Sequence, residues 1–288
     1  MGTVCVEVAV QADPRLLNAL ASLDQQSRRA ERVFIAAAPT TPESLLAEAR
    51  RRFPRLVIDS GRFPGGVVGA RAASLSRIVE DVTAFLDSDE VAPAQWLDRL
   101  VAPLEAGPVA FAGGPTRPLR PPESSIERYY AELDESIYRD LVPANVAYLP
   151  LQNTAWRTTE LRRLGFDPRI PFAEDHDLET RALRDGLRGV FVPDAWVFHD
   201  KTDETNLLRW ARKRYRYNVA MAMSLIKNGE LSGRLKERRT PVNHPLRYVE
   251  ALLKPFALLD ARYRWRRWER APPREPAGTQ ASPPGPPA

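Results

Sequence analysis

Val82-Thr83-Ala84-Phe85-Leu86-Asp87-Ser88-Asp89 is an apolar, β-prone run that ends in two aspartates. A continuous apolar run of this length fits a strand buried on both faces of a parallel sheet. Ligands of open α/β sheets bind just beyond the carboxyl ends of such strands, which is where Asp87 and Asp89 would stand. Two carboxylates two residues apart repel each other unless something positive lies between them. A hard divalent cation is one solution, and Mg²⁺ is commonly held by one or two carboxylates plus substrate phosphates. An acidic Asp-Ser-Asp-Glu turn capping the next helix is the other reading. Both remain open at this point.

Working outward, strands alternate with helices. Thr3–Val10 reads as a strand, followed by a helix with Leu16, Leu17, Leu20 and Leu23 at helical spacing. Val33–Ala38 is a second strand, a helix runs to Arg52, and Leu56–Ile58 is a third strand. After the Phe63-Pro64-Gly65-Gly66 turn, a helix from Gly69 to about Glu80 leads into the Val82 strand. This alternation implies βαβ units and a mostly parallel sheet. Beyond it lie a Trp96–Leu104 helix, a Val109–Ala112 strand, a Ser124–Leu141 helix and the segment Leu151–Arg157.

Phe172-Ala173-Glu174-Asp175-His176-Asp177-Leu178-Glu179 opens a helix with acids at its positive end, and Arg181 and Arg184 follow at the negative end. Helix-dipole pairing accounts for some of these acids. It accounts less well for Glu174-Asp175 directly after an apolar loop, where an ionised carboxylate can accept a proton from a substrate hydroxyl. His199 closes another apolar run, as Asp87 and Asp89 do, and imidazole is a common metal ligand.

The helix from Glu204 to Lys227 should bury Leu208, Ala211, Tyr215, Val219 and Ala222, and carry Arg209, Arg212, Lys213 and Arg216 as a cationic face. Leu246, Val249, Leu253 and Phe256 continue helical periodicity, with Pro255 expected to kink or break it. Tyr263–Trp268 mixes aromatics with arginines. That pattern suits peripheral association of residues 241–270 with a membrane surface, and equally suits packing on the domain or a partner contact.

The 288 residues are 43% hydrophobic and 27% charged, with net charge +5, a composition ordinary for a globular chain. No apolar run approaches the roughly 20 residues of a membrane span, and Met1-Gly2-Thr3-Val4 lacks the pattern of a signal peptide. The cytoplasm is the expected compartment. A single cysteine, Cys5, excludes an internal disulfide framework and a cysteine-based zinc site. The last 18 residues hold seven prolines and little to bury, so 271–288 is expected to be disordered. The arginine clusters lack any zinc-finger, RNP or recognition-helix signature, so no nucleic-acid partner is expected.

Taken together, these motifs resemble those of the inverting GT-A glycosyltransferases of family 2. The resemblance runs from about Val4 to Ala222. It is carried by Gly69-Ala70-Arg71 through Asp87-Ser88-Asp89, by Asn153-Thr154-Ala155-Trp156-Arg157, by Glu174-Asp175-x-Asp177-Leu178 with Arg181, and by Val192-Pro193-Asp194-Ala195 with His199. It implies an α/β GT-A (Rossmann-like) fold, a mostly parallel central sheet flanked by helices, with a C-terminal helical extension. The expected division is 1–203 as the catalytic domain (1–115 for the nucleotide-sugar, 116–203 for the acceptor), 204–270 as the extension, and 271–288 as the tail. The resemblance implies metal-dependent inverting transfer of a single sugar from a UDP-, GDP- or dTDP-linked donor to an acceptor hydroxyl. Asp175, with Glu174, would be catalytic, Asp175 as the base. Asp87, Asp89 and His199 would hold Mg²⁺ or Mn²⁺. Val10, Asp13, Arg71, Asp87, Ser88, Asp89 and Arg212 would line the donor site, and Asn153 and Trp156 the acceptor side. Asn206-Leu207-Leu208-Arg209-Trp210 is similar to the Gln-x-x-Arg-Trp motif of processive members, with Asn in place of Gln. The second strand ends in Ala36-Ala37-Ala38 without the usual acid, and the first in Val10-Gln11-Ala12-Asp13, which leaves the nucleotide open. An inactive GT-A-like binding protein acting through the basic helical face is the alternative.

Overall fold

The computed structural model describes residues 2–139, 141, 149–201, 206–230 and 244–270. The expected tail at 271–288 and residues 241–243 of the membrane-surface segment lie outside the described residues.

Strand β1 (Val4–Val10) is buried at every position. It pairs in parallel with β2 (Arg32–Ala37) on one side and β4 (Val82–Asp87) on the other. β3 (Ile58–Arg62) extends the sheet beyond β2. Past β4 come β8 (Thr154–Arg157), β6 (Phe111–Gly113) and β9 (Gly189–Phe191). The order is β3-β2-β1-β4-β8-β6-β9, and β8 alone runs antiparallel to its neighbours. A second, three-stranded sheet joins β5 (Glu90–Val91), β10 (Val197–His199) and β7 (Thr116–Pro118).

The two-residue period of β1 sorts its side chains between two cores. Val4, Val6, Val8 and Val10 face a layer built with α1 (Leu16–Asp24) and α4 (Trp96–Ala106). Cys5 faces the other layer with Phe34, Phe85, Phe111 and Trp156. That layer is covered by α3 (Gly66–Ser74), α6 (Thr158–Leu164) and α7 (Glu174–Arg184). Covering both faces is what lets β1 and β4 be apolar without alternation. α2 (Glu43–Arg52) lies between β2 and β3, and α5 (Ser125–Tyr138) begins with a capping box of Ser124 and Glu127. The long helices α8 (Leu207–Lys227) and α9 (Pro245–Arg270) pack on each other.

Four expectations need correction. β3 begins at Ile58, after the Leu56 amide has closed a turn on the Phe53 carbonyl. As an edge strand it is half-exposed and carries Asp59, Ser60 and Arg62, so no apolar run marks it. α3 occupies 66–74 rather than 69–80. It starts where Gly65 and Gly66 take positive φ, and a Cβ on Gly69 would lie 2.4 Å from the Pro64 carbonyl oxygen. On α8, Leu208 is 70% exposed and Arg214 is buried instead. α9 continues through Pro255. Pro255 and Ala251, whose carbonyl loses its helical partner, both stand on the solvent side, where water can satisfy that carbonyl.

Candidate active site

The sheet edge at the carboxyl end of β4 gathers the acids read from the sequence. Asp87 ends β4, and its Oδ1 accepts from Arg71 Nη2 at 2.6 Å. The other terminal nitrogen, Nη1, donates to Glu174 Oε1 at 2.9 Å, at the first position of α7. Arg71 thus joins the β4 aspartate to the Glu174-Asp175 pair, itself lying 103 residues before Glu174 in the chain. Its guanidinium also lies over the Phe85 ring, 5.5 Å from the centroid.

Beneath Arg71 sits Glu7, on the same face of β1 as Cys5. It is fully buried, its Oε2 is 3.7 Å from Arg71 Nε, and neither carboxylate oxygen has a hydrogen-bond partner. Burial pushes its pKa up to about 7, against the opposing pull of Arg71. Burial also raises Glu174. Glu7 and Glu174, buried against a guanidinium that Asp87 also shares, cannot both ionise cheaply, so protonation of one of them near neutrality is the physical outcome.

Asp89 lies one turn further along. Its Oδ2 is 3.1 Å from His199 Nε2, at the end of β10, and 3.8 Å from Arg15 Nη2. Burial works against the Asp89 charge, but His199 and Arg15 more than offset it and hold the carboxyl well below its ordinary range. Arg15 also pairs with Asp13 at 2.7 Å and donates to the Asp200 carbonyl, so it laces the end of β1 to the exit of β10. Glu90 is buried behind His199, its Oε1 3.7 Å from Nδ1, while its other oxygen accepts from the Asp87 amide at 3.1 Å. Ser88 is buried between the two aspartates, and Val10 lies at the edge of the same sheet, its carbonyl taken by Ala38 and Thr41.

The carboxylate of Asp89 and the imidazole of His199 are the donor chemistry a divalent cation takes, and the buried Nδ1 of His199 lacks a hydrogen-bond partner. Asp87 is committed to Arg71. Among the described residues no three His, Cys, Asp or Glu side chains are already grouped to hold a metal. The residues therefore fit a cation as a partial set.

α7 is fixed acid by acid. Asp177 meets Arg181, Lys227 and Asn228, and Glu179 accepts from the Leu149 amide at 2.7 Å. His176 Nδ1 lies 2.9 Å from Ser224 Oγ on α8. Asp175, buried at the N-terminal turn, accepts from the following amide at 2.7 Å. Just ahead of it Phe172 has φ 76°, a left-handed conformation costing a non-glycine residue about 1–3 kcal/mol. Phe172 stays 42% exposed beneath the Arg216 guanidinium, 4.5 Å away.

Asn153 and Trp156, read as acceptor-side residues, both lie inside the domain. Asn153 is fully buried, accepts from Trp96 Nε1 at 2.7 Å, and donates to the Pro115 and Ala195 carbonyls at 3.1 and 2.8 Å. Beside it a Cβ on Gly114 would lie 1.9 Å from the Ala195 oxygen. This brace sets the chain that leads into β10, and so the position of His199. Trp156 is fully buried, stacked on Phe111 with centroids 4.3 Å apart. Arg212 is exposed on α8, with Arg209, Lys213 and Arg216. A groove of about 580 Å³ between β7 and α5 is lined by Thr116, Arg117, Arg128 and Tyr138. A smaller hollow shares Pro118, Pro122 and Ala131 with it and reaches His199, Asp200 and Lys201.

Sequence reasoning missed Glu7, Arg15 and Glu90. Glu7 carried a signal: an acid inside an otherwise apolar strand must find a cation. Arg15 and Glu90 carried none, because beyond their local contacts with Asp13 and the Asp87 amide, the groups that tie them to the site, Asp89 for Arg15 and His199 for Glu90, are far away in the sequence.

A family model described as "Glycosyltransferase like family 2" matches residues 3–218. The chain belongs to that family. It is 29% identical over 163 residues to a pre-mycofactocin glycosyltransferase of Mycobacterium tuberculosis, a match covering 54% of this chain and 34% of the relative. The chain thus spans about a third of the length of the curated relatives it matches. Among solved structures, the mannosyltransferase PcManGT from Pyrobaculum calidifontis, in complex with GDP-Man and Mn²⁺, superposes with a TM-score of 0.63 at 18% identity, over 94% of this chain and 76% of that one. S. aureus TarS 1-349 in complex with UDP-GlcNAc gives 0.60 at 16%, over 91% and 81%. The fold is therefore that of the GT-A glycosyltransferases. Among the described residues no helix is long and apolar enough to cross a membrane.

Proposed function

We propose that the protein transfers a single sugar, with inversion, from a nucleotide-diphosphate sugar to an acceptor hydroxyl, with the help of a divalent cation. The observation that carries this reading is the bridge made by Arg71, which holds Asp87 at 2.6 Å and Glu174 at 2.9 Å and so brings the two acidic motifs to one sheet edge. Asp89 and His199 would hold the cation, leaving its other positions to the diphosphate oxygens. When bound, the cation would offset the charge of the departing nucleotide diphosphate. Asp175 accepts the acceptor's proton as its oxygen attacks the anomeric carbon, and a single displacement inverts that centre. Glu174 stays locked on Arg71 and orients α7. Arg15, beside Asp89, adds fixed positive charge toward the same phosphates. The hollow that reaches His199 from the α5 groove is the path assigned to the acceptor. Support for the donor class comes from the solved neighbours, which hold GDP-Man and UDP-GlcNAc.

The test is Asp175→Asn. Product mass spectrometry with UDP-, GDP- and dTDP-sugars should show turnover falling about 10²–10⁴-fold, while the donor-induced rise in melting temperature is kept. Unchanged turnover removes Asp175 as the base. No melting shift with any donor, with or without Mn²⁺, favours a binding protein acting through the basic face of α8.

A further inference from the structure

More than half of the large apolar side chains exposed among the described residues stand on one helix, α9. Tyr248, Leu252, Phe256, Leu259 and Tyr263 are 71%, 71%, 65%, 63% and 66% exposed. Their spacings of four, four, three and four residues put all five on one face of the helix. No charged side chain interrupts that stripe. The opposite face is the one that packs: Ala257 and Ala261 meet Val219, Ala222 and Met223 of α8, and Glu250 is buried against Arg214. α9 is therefore anchored by small residues on its inner side and leaves its large apolar ones outside, the reverse of an ordinary surface helix.

The charges around the stripe say what covers it. Arg262 flanks it, and Arg266, Arg267 and Arg270 take over the same region at the C-terminal end. All four are exposed, and none has an ion-pair partner among the described residues. An apolar stripe about 23 Å long, at 1.5 Å per residue, ringed by tyrosines and ending in free arginines, matches a helix that lies in the interface of an anionic bilayer. A second copy packed parallel on this stripe would bring the same arginines against each other, and in either orientation it would leave them without an anionic partner on the stripe.

We propose that α9 docks the protein flat on an anionic lipid surface, with the Tyr248–Tyr263 stripe in the headgroup boundary and the four arginines on lipid phosphates. This is independent of the transfer reaction. The test is flotation of the full chain with vesicles of phosphatidylcholine alone or of phosphatidylcholine mixed with anionic phosphatidylglycerol. The double variant Leu252→Glu/Leu259→Glu is compared in the same assay. Both side chains are exposed, so the variant should melt within about 2 °C of the parent. Binding should appear with the anionic vesicles, weaken in high salt, and fall roughly twenty-fold or more in the variant. The proposal is overturned if the parent floats with neither vesicle, if the variant floats as the parent does, or if light scattering shows a dimer that the variant converts to monomer.

Discussion

Two buried arginines divide the molecule. Arg71, beneath the candidate site, is shared by three carboxylates: Glu7, Asp87 and Glu174. Arg214, between α8 and α9, has the opposite balance. It shares one carboxylate, Glu250, with Arg247 at 3.0 Å, and the Tyr129 hydroxyl donates to that same carboxylate at 2.6 Å. Burial raises Glu7 and Glu174, with the neighbouring acids adding to it against the pull of Arg71, whereas the excess of base around Glu250 outweighs its burial and lowers it to about 2. A cluster built for stability satisfies its one acid several times over. A cluster left short of positive charge, with its carboxyls raised, is the pattern that functional sites tend to show.

Replacing each arginine is the strongest way to break that contrast. Arg71→Met strands the buried Glu7 and Glu174 and leaves Asp87 without its partner, and should cost about 3–5 kcal/mol in urea unfolding, or prevent folding. Arg214→Met should cost less, because Arg247 still meets Glu250. Equal losses would dissolve the distinction.

Glu250→Gln comes next. It weakens three contacts at once and should cost about 1.5–3 kcal/mol. The folded pKa of Glu250 lies below its ordinary 4.5, so its contribution is complete above that pH and is lost as pH falls toward 2. Wild-type stability in urea should therefore fall more steeply between pH 4.5 and 2 than that of Glu250→Gln, and the two should converge toward pH 2.

Glu7→Gln gives the smallest effect and the opposite sign. The folded pKa of Glu7 is raised, so the folded state holds more protons than the unfolded between about 4.5 and 7. Wild-type stability from this group is present below 4.5 and is lost as pH rises through 7. Glu7→Gln should match the wild type at pH 5 and be more stable at pH 8, by about 1–3 kcal/mol at most, with a correspondingly higher melting temperature. A lower melting temperature at pH 8 would show that Glu7 serves Arg71 as an ionised partner.

What the sequence revealed follows from range. β4 with its two aspartates and α7 with its graded charge are local patterns, and both elements stand where periodicity put them. That Asn153 and Trp156 are fully buried is not legible from spacing, which does not say which way a side chain leaves a short 3-10 turn or the four-residue strand that follows it. The pairing of Arg214 with Glu250 spans 36 residues, and no helical period announces it. α9 was read by its Leu246, Val249, Leu253 and Phe256 stripe, yet Phe256 is exposed and Leu246 buried, because an apolar helix gives no internal sign of which face meets its neighbour.

The central claim is that the sheet edge at Asp87, Asp89 and His199 binds a nucleotide diphosphate through a divalent cation. Titration calorimetry of UDP and GDP into the protein, with Mn²⁺ and with EDTA, tests it most directly, alongside Asp89→Ala. The account predicts binding of one nucleotide that requires Mn²⁺ and disappears in Asp89→Ala while the fold persists. Binding of equal strength in EDTA, or an Asp89→Ala protein that binds as the wild type does, would contradict it.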